Sequence, residues 1–453
     1  MNGITRRYLE QVAPGPPSWP ALAGSRPLDA AYQGRFLSRP AFLDAEEILR
    51  LDADLNQLYD LLVSVPGRLF GGDVRRYAAA VGMNAAQIEA ILRLGTEWPV
   101  RVGRADLYRE PDGFKLLEFN LSTALGGLEN GEINKAMLDS PALADFVARE
   151  RLAYHDTLAG VARTLLRAGA HSQAEARPVV AIIDAPASFA HYERRWRELA
   201  VLLSGHGVDA FACHAGEVTT EGGHLVADGR VIDVVYRYFI LEDLLPGVCE
   251  LELFEPILRA HERGTVTVFA PLDTELYGNK QALALLSDDR CQDALGAAER
   301  ALVDRLLPWT RVLRDCRTTA GAGEVDLLAY CREHRADLVL KPTLLHGGDG
   351  VRPGWRLSDD DWREALGEAL GQGHVVQRRV RPCTEPFFDE SAGTDADTVL
   401  TWGVFLDDAG YDGAYVRGCH DPDVGVVSMG AGARVGCCFS RMALAGDLAT
   451  VTG

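Results

Sequence analysis

The chain has 453 residues, of which 47% are apolar, and its formal net charge is −19. This length allows two or three domains, and the negative charge argues against nucleic acid or an anionic membrane as a partner. There is no run of 18 apolar residues, no apolar segment after the first arginines and no Cys-x-x-Cys pair among nine cysteines, so we expect a cytoplasmic protein without a membrane span, signal peptide or zinc site.

The first third of the chain carries mostly helical patterns. Residues 1–40 are rich in Pro and Gly and are expected to be irregular or extended. Apolar periodicity and end signals predict helices over 43–63, over 84–94 and from Ser140-Pro141 to Gly169. Residues 98–121 predict two strands joined by the turn Glu110-Pro111-Asp112-Gly113.

The pattern changes at Pro178, where strands and helices begin to alternate. The segments VVAIIDAP, VDAFACH and VIDVVYRYF have strand character, and the first two flank the helical segment HYERRWRELAVLLSGHG. This rhythm predicts an open, parallel α/β layer over residues 177–270. A Gly-x-Gly-x-x-Gly fingerprint is absent after its first strand, so a nicotinamide oxidoreductase is a poor alternative. Further on, we expect helices over 279–288 and 291–307, then a strand ending in Lys341-Pro342, a glycine loop and more strands.

The predicted hairpin places polar side chains inside its strands. A three-residue loop, Pro111-Asp112-Gly113, would set a register in which Asp106 faces Glu118 and Arg104 faces Asn120. All four side chains would lie on one sheet face, because side chains alternate with period two. Two opposed carboxylates repel each other, and a hard divalent ion such as Mg²⁺ would remove that penalty. The pattern favours a metal and phosphate site, with a solvated face and an ordinary ion pair as the alternative.

Other segments add candidate ligands. Residues 122–129 are rich in small residues, which let backbone approach a ligand closely. Glu129 is either a further acid near the metal or a solvated residue at a helix start. Only four of the 46 basic residues are lysines; of these, Lys280 begins a helix and Lys341 precedes the glycine loop 346–351, whose backbone N–H groups could cradle phosphate.

Together these motifs resemble the circularly permuted ATP-grasp ligases, a group that includes the C-terminal synthetase domain of glutathionylspermidine synthase. The matching segments are Arg104-x-Asp106, Leu117-Glu118-Phe119-Asn120, Asn279-Lys280, Lys341-Pro342 with HGGDGV, and Val376-Gln377. The acidic motifs precede the lysines, as in the permuted family and unlike ordinary ATP-grasp chains. The resemblance covers residues 95–440 approximately, and the strand at 230–238 resembles the pre-ATP-grasp layer of related peptide and natural-product ligases.

The resemblance implies an α/β (α+β) fold, namely an ATP-grasp fold in circularly permuted order with a Rossmann-like pre-ATP-grasp layer and a helical N-terminal segment. The expected divisions are a mostly helical N-terminal segment over 1–95, the first part of the ATP-grasp fold with the metal-binding hairpin and a long helix over 96–176, a substrate layer over 177–270, and a nucleotide-binding part with a glycine-rich lid over 271–453.

The resemblance also implies a role for each matching residue. Mg²⁺ would be bound by Asp106, Glu118 and Asn120. The γ-phosphate or an acyl-phosphate would be held by Arg104, with Arg417 as a second cation or, alternatively, as a surface arginine. The rest of the ATP would be contacted by Lys280, Lys341, the lid residues His346, Gly347, Gly348 and Gly350, and Gln377 beside the adenine. Two residues depart from the family pattern: Arg378 replaces an acid, and Asp349 adds a negative charge to the lid.

The implied activity is an ADP-forming ligation of a small carboxylic acid to an amine through an acyl-phosphate, with ATP and Mg²⁺, in peptide or secondary-metabolite biosynthesis. A kinase-like phosphotransferase and a non-catalytic ATP-binding module on the same fold are the alternatives. The substrates stay open: Arg237, Arg194 and Arg195 are candidates to hold a substrate carboxylate, with structural ion pairs as the alternative. Homodimer formation is also left open.

Overall fold

The fold is described from a computed structural model that covers residues 1–12, 19–95, 100–169, 177–321, 323–345, 347–421 and 423–441. The α-helices of these ranges are Gly3–Gln11, Pro20–Gly24, Arg26–Tyr32, Ala45–Phe70, Val74–Ala80, Ala85–Leu94, Asn130–Met137, Pro141–Glu150, Thr157–Gly169, Pro186–Gly205, Glu255–Glu262, Asp273–Gly278, Lys280–Ser287, Asp289–Gln292, Ala297–Leu306, Leu327–Glu333 and Asp359–Ala369. Across the described ranges, no helix combines the length and apolarity needed to span a membrane.

The largest sheet draws its strands from both ends of the chain. Its strand order is Ala41–Leu43, Arg434–Arg441, Gly410–Cys419, Thr394–Asp407, Gly103–Glu110 and Gly113–Asn120, with Thr384–Asp389 and Leu152–Ala153 paired at its sides. All neighbours are antiparallel except the first pair, which is parallel. The predicted hairpin therefore lies at one end of this strand order.

The helix Ala45–Phe70 packs against this large sheet. Leucines recur along it every three or four residues, so one helix face is apolar, and Leu55, Leu58 and Leu62 are each fully buried in the main core. Asp44 caps the first turn together with Glu47. The predicted helix over 43–63 is thus confirmed and extended by two turns.

The second sheet is parallel throughout. Its order is Thr267–Phe269, Val234–Arg237, Val179–Asp184 and Asp209–His214. The helix Pro186–Gly205 connects Val179–Asp184 to Asp209–His214. The chain then crosses to the opposite side of Val179–Asp184, where it forms Val234–Arg237. The strands predicted for this region are found, and the strand order reverses beside Val179–Asp184. A ribbon of Thr219–Glu221, His224–Ala227 and Arg230–Val231 is inserted in this layer.

A third, antiparallel sheet follows. Its order is Thr310–Val312, His374–Arg378, Leu338–Pro342 and Arg352–Pro353. The helices Leu327–Glu333 and Asp359–Ala369 share a small apolar core with it, around Trp362. A two-stranded ribbon, Arg317–Ala320 with Gly323–Asp326, lies beside this core.

The prediction of an irregular or extended segment over 1–40 is wrong for most of its described residues, and residues 13–18 lie outside the described ranges. Three short helices lie there, with Asn2 and Ser25 capping two of them. Leu22 and Leu28 are almost fully buried. Burial of these apolar side chains outweighs the high Pro and Gly content, and Pro is well tolerated in the first turn of a helix.

The single long helix predicted from Ser140-Pro141 to Gly169 is also wrong. The segment forms two helices, Pro141–Glu150 and Thr157–Gly169. Arg151 has a φ of 54° and ends the first helix. The next residues, Leu152–Ala153, pair with the strand Arg434–Arg441, so a tertiary contact overrides the local pattern.

Candidate active site

The hairpin has the predicted register at its polar end. Asp106 pairs with Glu118, and Arg104 pairs with Asn120. All four residues line one cavity. The clustering of these four side chains is therefore confirmed.

The predicted cause of this register is wrong. The connecting loop is only Pro111-Asp112, because Gly113 already pairs with Glu110. A β-bulge at Leu117 supplies the missing residue and restores the predicted pairing beyond it. In a regular strand, residues three apart lie on opposite faces. Leu116 and Phe119 are nevertheless both buried in the main core, because the bulge between them inserts one extra residue.

Asp106 lies between two arginines. Arg104 donates from Nε to Asp106 Oδ1 (2.7 Å) and from Nη2 to Oδ2 (2.9 Å), and Arg417 Nη2 lies 2.8 Å from Oδ2. All three side chains are buried. Burial lowers the pKa of both guanidinium groups, but Asp106 and, to a smaller extent, Tyr415 together outweigh it and leave the pKa of Arg104 and of Arg417 raised. Arg417 is therefore part of the site and not a surface residue.

Glu118 lies beside the first motif lysine. Lys280 Nζ is 3.4 Å from Glu118 Oε2 and donates to the backbone carbonyl of Leu345 (2.9 Å). Asn120 Nδ2 contacts both carboxylates, at 3.3 Å from Glu118 and 3.4 Å from Asp106. The predicted repulsion between the two acids is thus already offset by cations of the chain itself.

Lys341 is buried near the end of its strand and lines the cavity. Its Nζ donates to Gln377 Oε1 (2.6 Å) and to the Leu117 carbonyl in the bulge (3.3 Å). Gln377 in turn donates to Thr310 (3.1 Å). Burial lowers the pKa of Lys341 to about 8; nearby Glu118 raises it and nearby Lys280 lowers it further. Lys341 and Gln377 therefore contact each other, as expected of neighbours in one binding site.

The glycine loop contributes part of the wall. Gly347 and Gly348 line the cavity, and both have positive φ, as does Gly350. A Cβ on Gly348 would lie 2.3 Å from a Val426 methyl, so this loop packs closely against the segment 423–428. His346 lies outside the described residues. Asp349 also lines the cavity and is exposed.

The cavity itself has a volume of about 930 Å³ and is lined by residues from all three sheets and from the loops between them. We call the following seven residues the central cluster: Arg104, Asp106, Glu118, Asn120, Lys280, Lys341 and Arg417. Four cations face two carboxylates in it, which leaves local positive charge in a chain of net charge −19. Among the described residues, Arg417 Nε and Asn279 Nδ2 are buried donors with no hydrogen-bond partner, and both residues line the cavity. Unpaired donors in a cationic wall favour an anionic ligand.

The three arginines proposed for substrate binding have different surroundings in the structure. Arg237 is completely buried and donates to Glu275 and to the carbonyls of Ala270 and Phe239, so it is structural. Arg194 forms an exposed ion pair with Asp29. Of the three, only Arg195 lines the cavity.

Glu129 has neither of its predicted roles. It is 3% exposed, accepts a hydrogen bond from Tyr32 Oη (2.7 Å) and pairs with Arg195 Nη2 (3.3 Å). It is thus not a solvated helix-start residue, and it is not among the described residues that line the cavity.

Asp106, Glu118 and Asn120 could bind Mg²⁺ only together with oxygen atoms of a bound phosphate. Within the described ranges, no three His, Cys, Asp or Glu side chains converge into a metal cluster. Asp106, Glu118 and Asn120 nevertheless bring two carboxylates and an amide together. Mg²⁺ is typically bound in proteins by one or two carboxylates plus the phosphates of a substrate, and Asp106 and Glu118 supply two such carboxylates.

Sequence reasoning missed Tyr415. Its ring lies 5.5 Å from the Arg104 guanidinium and 5.6 Å from that of Arg417. The ring occupies space left by two glycines, because a Cβ on Gly127 or Gly403 would lie 2.6 or 2.3 Å from it. The available signal was the period-two spacing of Tyr415 and Arg417 on one strand.

Comparisons with known proteins support the fold. No protein-family model and no curated protein matches the chain. A solved apo structure of a glutathione synthetase-like effector from Globodera pallida is similar, with a TM-score of 0.55 and 13% identity over 91% of this chain and 96% of that chain. A crystal structure provisionally identified as a gamma-glutamylcysteine synthetase from Methylobacillus flagellatus has 14% identity over 88% of this chain and 89% of that chain, but its TM-score of 0.43 is too low for an argument. The first similarity shows a common fold and, at this identity, nothing finer.

Proposed function

We propose that the protein is an ATP-dependent, ADP-forming ligase that joins a carboxylic acid to an amine on a circularly permuted ATP-grasp fold. The observation that carries the proposal is the central cluster, in which four cations surround two carboxylates beside a glycine loop. The fold it shares with a glutathione synthetase-like protein is consistent with this activity.

The reaction has two steps. A substrate carboxylate oxygen attacks the γ-phosphorus of ATP, and ADP leaves. The amine then attacks the acyl carbon, inorganic phosphate leaves, and the amine proton is lost to solvent. Mg²⁺ held by Asp106, Glu118 and Asn120 would neutralise phosphate charge.

The chain's own residues would bind and orient the phosphates. Arg104 and Arg417, both fixed by Asp106, form a preorganised cationic wall for the transferred phosphoryl group. Lys280 and Lys341 would contact the remaining phosphates as point charges. The glycine loop would exclude water from the reactive anhydride.

The test is a matrix of small carboxylic acids crossed with amines, with ADP release measured and condensation products identified by mass spectrometry. We expect ADP and an amide only when acid, amine and Mg·ATP are all present. Lys280→Met should abolish turnover, and Lys135→Met is the matched control, because Lys135 is a half-exposed lysine paired with Glu132 and Asp156. ADP formation with a single substrate and a phosphorylated product would instead indicate a kinase, and no nucleotide turnover with any pair would refute the proposal.

A further inference from the structure

Arg195 lies where open parallel sheets bind ligands. It belongs to the helix Pro186–Gly205, which follows the strand Val179–Asp184. The strand order reverses between this strand and Val234–Arg237, and ligands of such sheets bind outside the carboxyl ends at the reversal. Asp184 and Tyr238, at the ends of these two strands, line the same cavity as Arg195.

Only one side of the Arg195 guanidinium is engaged by the chain. Nη2 contacts both Glu129 oxygens at 3.3 Å. Nε is a buried donor without a hydrogen-bond partner, no hydrogen bond of Nη1 is found in the part of the chain that the structure describes, and the residue lines the cavity. The guanidinium also lies 5.5 Å from the Trp196 ring centre and 5.9 Å from that of Tyr32. These contacts fix the orientation of Arg195 and leave one edge for a ligand.

Gly126 lies between this arginine and the central cluster. Its carbonyl accepts a hydrogen bond from Arg104 Nη1 (2.8 Å). A Cβ on Gly126 would lie 3.8 Å from Arg104 Nη1 and also 3.8 Å from Arg195 Nη2. The two guanidinium groups therefore flank one small residue.

We propose that Arg195 binds a substrate carboxylate that takes no part in the reaction, while another group of the same substrate reacts beside Arg104. This inference rests on the proposed function. An arginine edge is suited to a planar carboxylate, and the short separation across Gly126 requires a compact substrate. Two chemical classes supply such a carboxylate: a free α-amino acid acting as the amine, or a short dicarboxylic acid acting as the acid.

The experiment compares each carboxylate with its amide. The amine probes are glycine, L-alanine and L-glutamate against their α-carboxamides. The acid probes are succinate and glutarate against their mono-amides. Binding of each probe in the presence of Mg·ATP is followed by ligand-observed NMR, and ADP release is followed in the same samples with complementary substrates. If the free carboxylate is preferred over the amide only among the amine probes, the substrate is an amino acid. If it is preferred only among the acid probes, the substrate is a dicarboxylic acid.

The variants distinguish loss of the Arg195 contact from damage to the fold. Arg195→Gln alone leaves Glu129 as a buried, unpaired charge, so the double variant Arg195→Gln with Glu129→Gln is used instead. We expect at least a tenfold preference for one class of free carboxylate in the wild type and in Glu129→Gln, and a loss of that preference in the double variant. Gly126→Leu should weaken the same probes by crowding the gap, and Arg194→Gln should change nothing.

The outcomes keep the two proposals apart. ADP-forming ligation with no preference for free carboxylates over amides would overturn the Arg195 assignment and leave the ligase proposal standing. Without turnover of any pair, the ligase proposal fails, and the NMR measurement alone decides on Arg195. A carboxylate preference that persists in the double variant would also overturn the assignment.

Discussion

Asp106 and Glu118 face each other across two strands, yet their surroundings assign them different energetic roles. Asp106 is buried between two arginines, whereas the Glu118 side chain is 23% exposed and lies 3.4 Å from Lys280. Removing one partner of a buried ion pair leaves an uncompensated charge, while a partly exposed pair contributes little.

We therefore expect Asp106→Asn to lower the free energy of unfolding by about 3–5 kcal/mol. Glu118→Gln should lower it by less than about 1 kcal/mol. If the proposed function holds, both variants should lose most ATP turnover, because each removes an anionic group proposed to bind Mg²⁺. Urea unfolding and ADP release measure the two effects. Equal stability of the two variants would show that the Asp106 arginines are satisfied in another way, and normal turnover in both would end the metal-site hypothesis.

Lys341 should make the proposed nucleotide binding dependent on pH. Its folded pKa of about 8 lies below the ordinary value of 10.5, chiefly because of burial. Between these values the unfolded chain binds more protons, so Lys341 makes the free energy of unfolding rise with pH. Phosphate binding favours the protonated amine. Affinity for ATP should therefore fall above about pH 8, approaching tenfold per pH unit as the bound state takes up one proton.

Calorimetric titration with Mg·ATP between pH 7 and 9.5 measures this dependence. Lys341→Met should bind more weakly at pH 7 and lose the slope above pH 8. A slope that is unchanged in Lys341→Met would assign the titration to another group.

The polar residues that line this cavity could be predicted from sequence, but the backbone and side-chain contacts that position them could not. The polar pairs were predictable because charged residues inside strands are costly and conspicuous. The bulge at Leu117 was not, because a two-residue and a three-residue loop are both compatible with Pro111-Asp112-Gly113 and only packing of Leu116 and Phe119 decides between them. Arg195 could be named only as one of three arginines, since its burial state depends on Glu129 and Tyr32, which are distant in sequence.

At the scale of elements, the loop after the hairpin has a steric role. Gly127 has a φ of 93°, and a Cβ there would lie 2.6 Å from the Tyr415 ring. Gly127→Ala should shift this ring, which packs beside Arg104 and Arg417. We expect a loss of about 1–3 kcal/mol in unfolding free energy, as for other overpacked sites, and lower turnover.

Gly126→Ala is the matched control for stability. Gly126 lacks a positive φ, and its Cβ would meet atoms only at 3.8 Å. Thermal unfolding of the two variants should differ clearly, with Gly126→Ala close to the wild type. If both variants melt like the wild type, the Tyr415 ring is free to move and does not position the arginines.

Elements with strong local signals were predictable, and those set by distant contacts were not. The buried run of Val179–Asp184 indicated a parallel strand, and the leucine spacing of 43–63 indicated a helix. Neither Gly nor Pro marks the break at Arg151. The pairing of Leu152–Ala153 with a strand almost three hundred residues later imposes it, which no local pattern contains.

At the scale of the molecule, residues of three sheets line one cavity. A ligand that contacts all of them binds only the folded chain, so Mg·ATP at 100 times its Kd should stabilise the protein by about 2.7 kcal/mol. ATP with excess EDTA should stabilise it much less, because phosphates and carboxylates then repel. Scanning fluorimetry measures both shifts. Equal shifts would argue against a metal shared between protein and nucleotide, and Lys135→Met should shift like the wild type.

The large sheet pairs Ala41–Leu43 with Arg434–Arg441. Its consecutive strands Gly103–Glu110, Thr394–Asp407 and Gly410–Cys419 bring Asp106 into contact with Arg417. These contacts span most of the chain, and loop-closure entropy makes such contacts slow to form. During synthesis, Asp106 leaves the ribosome long before its second arginine exists. The nascent chain must hold an open sheet edge in the meantime, which exposes it to aggregation and to chaperones.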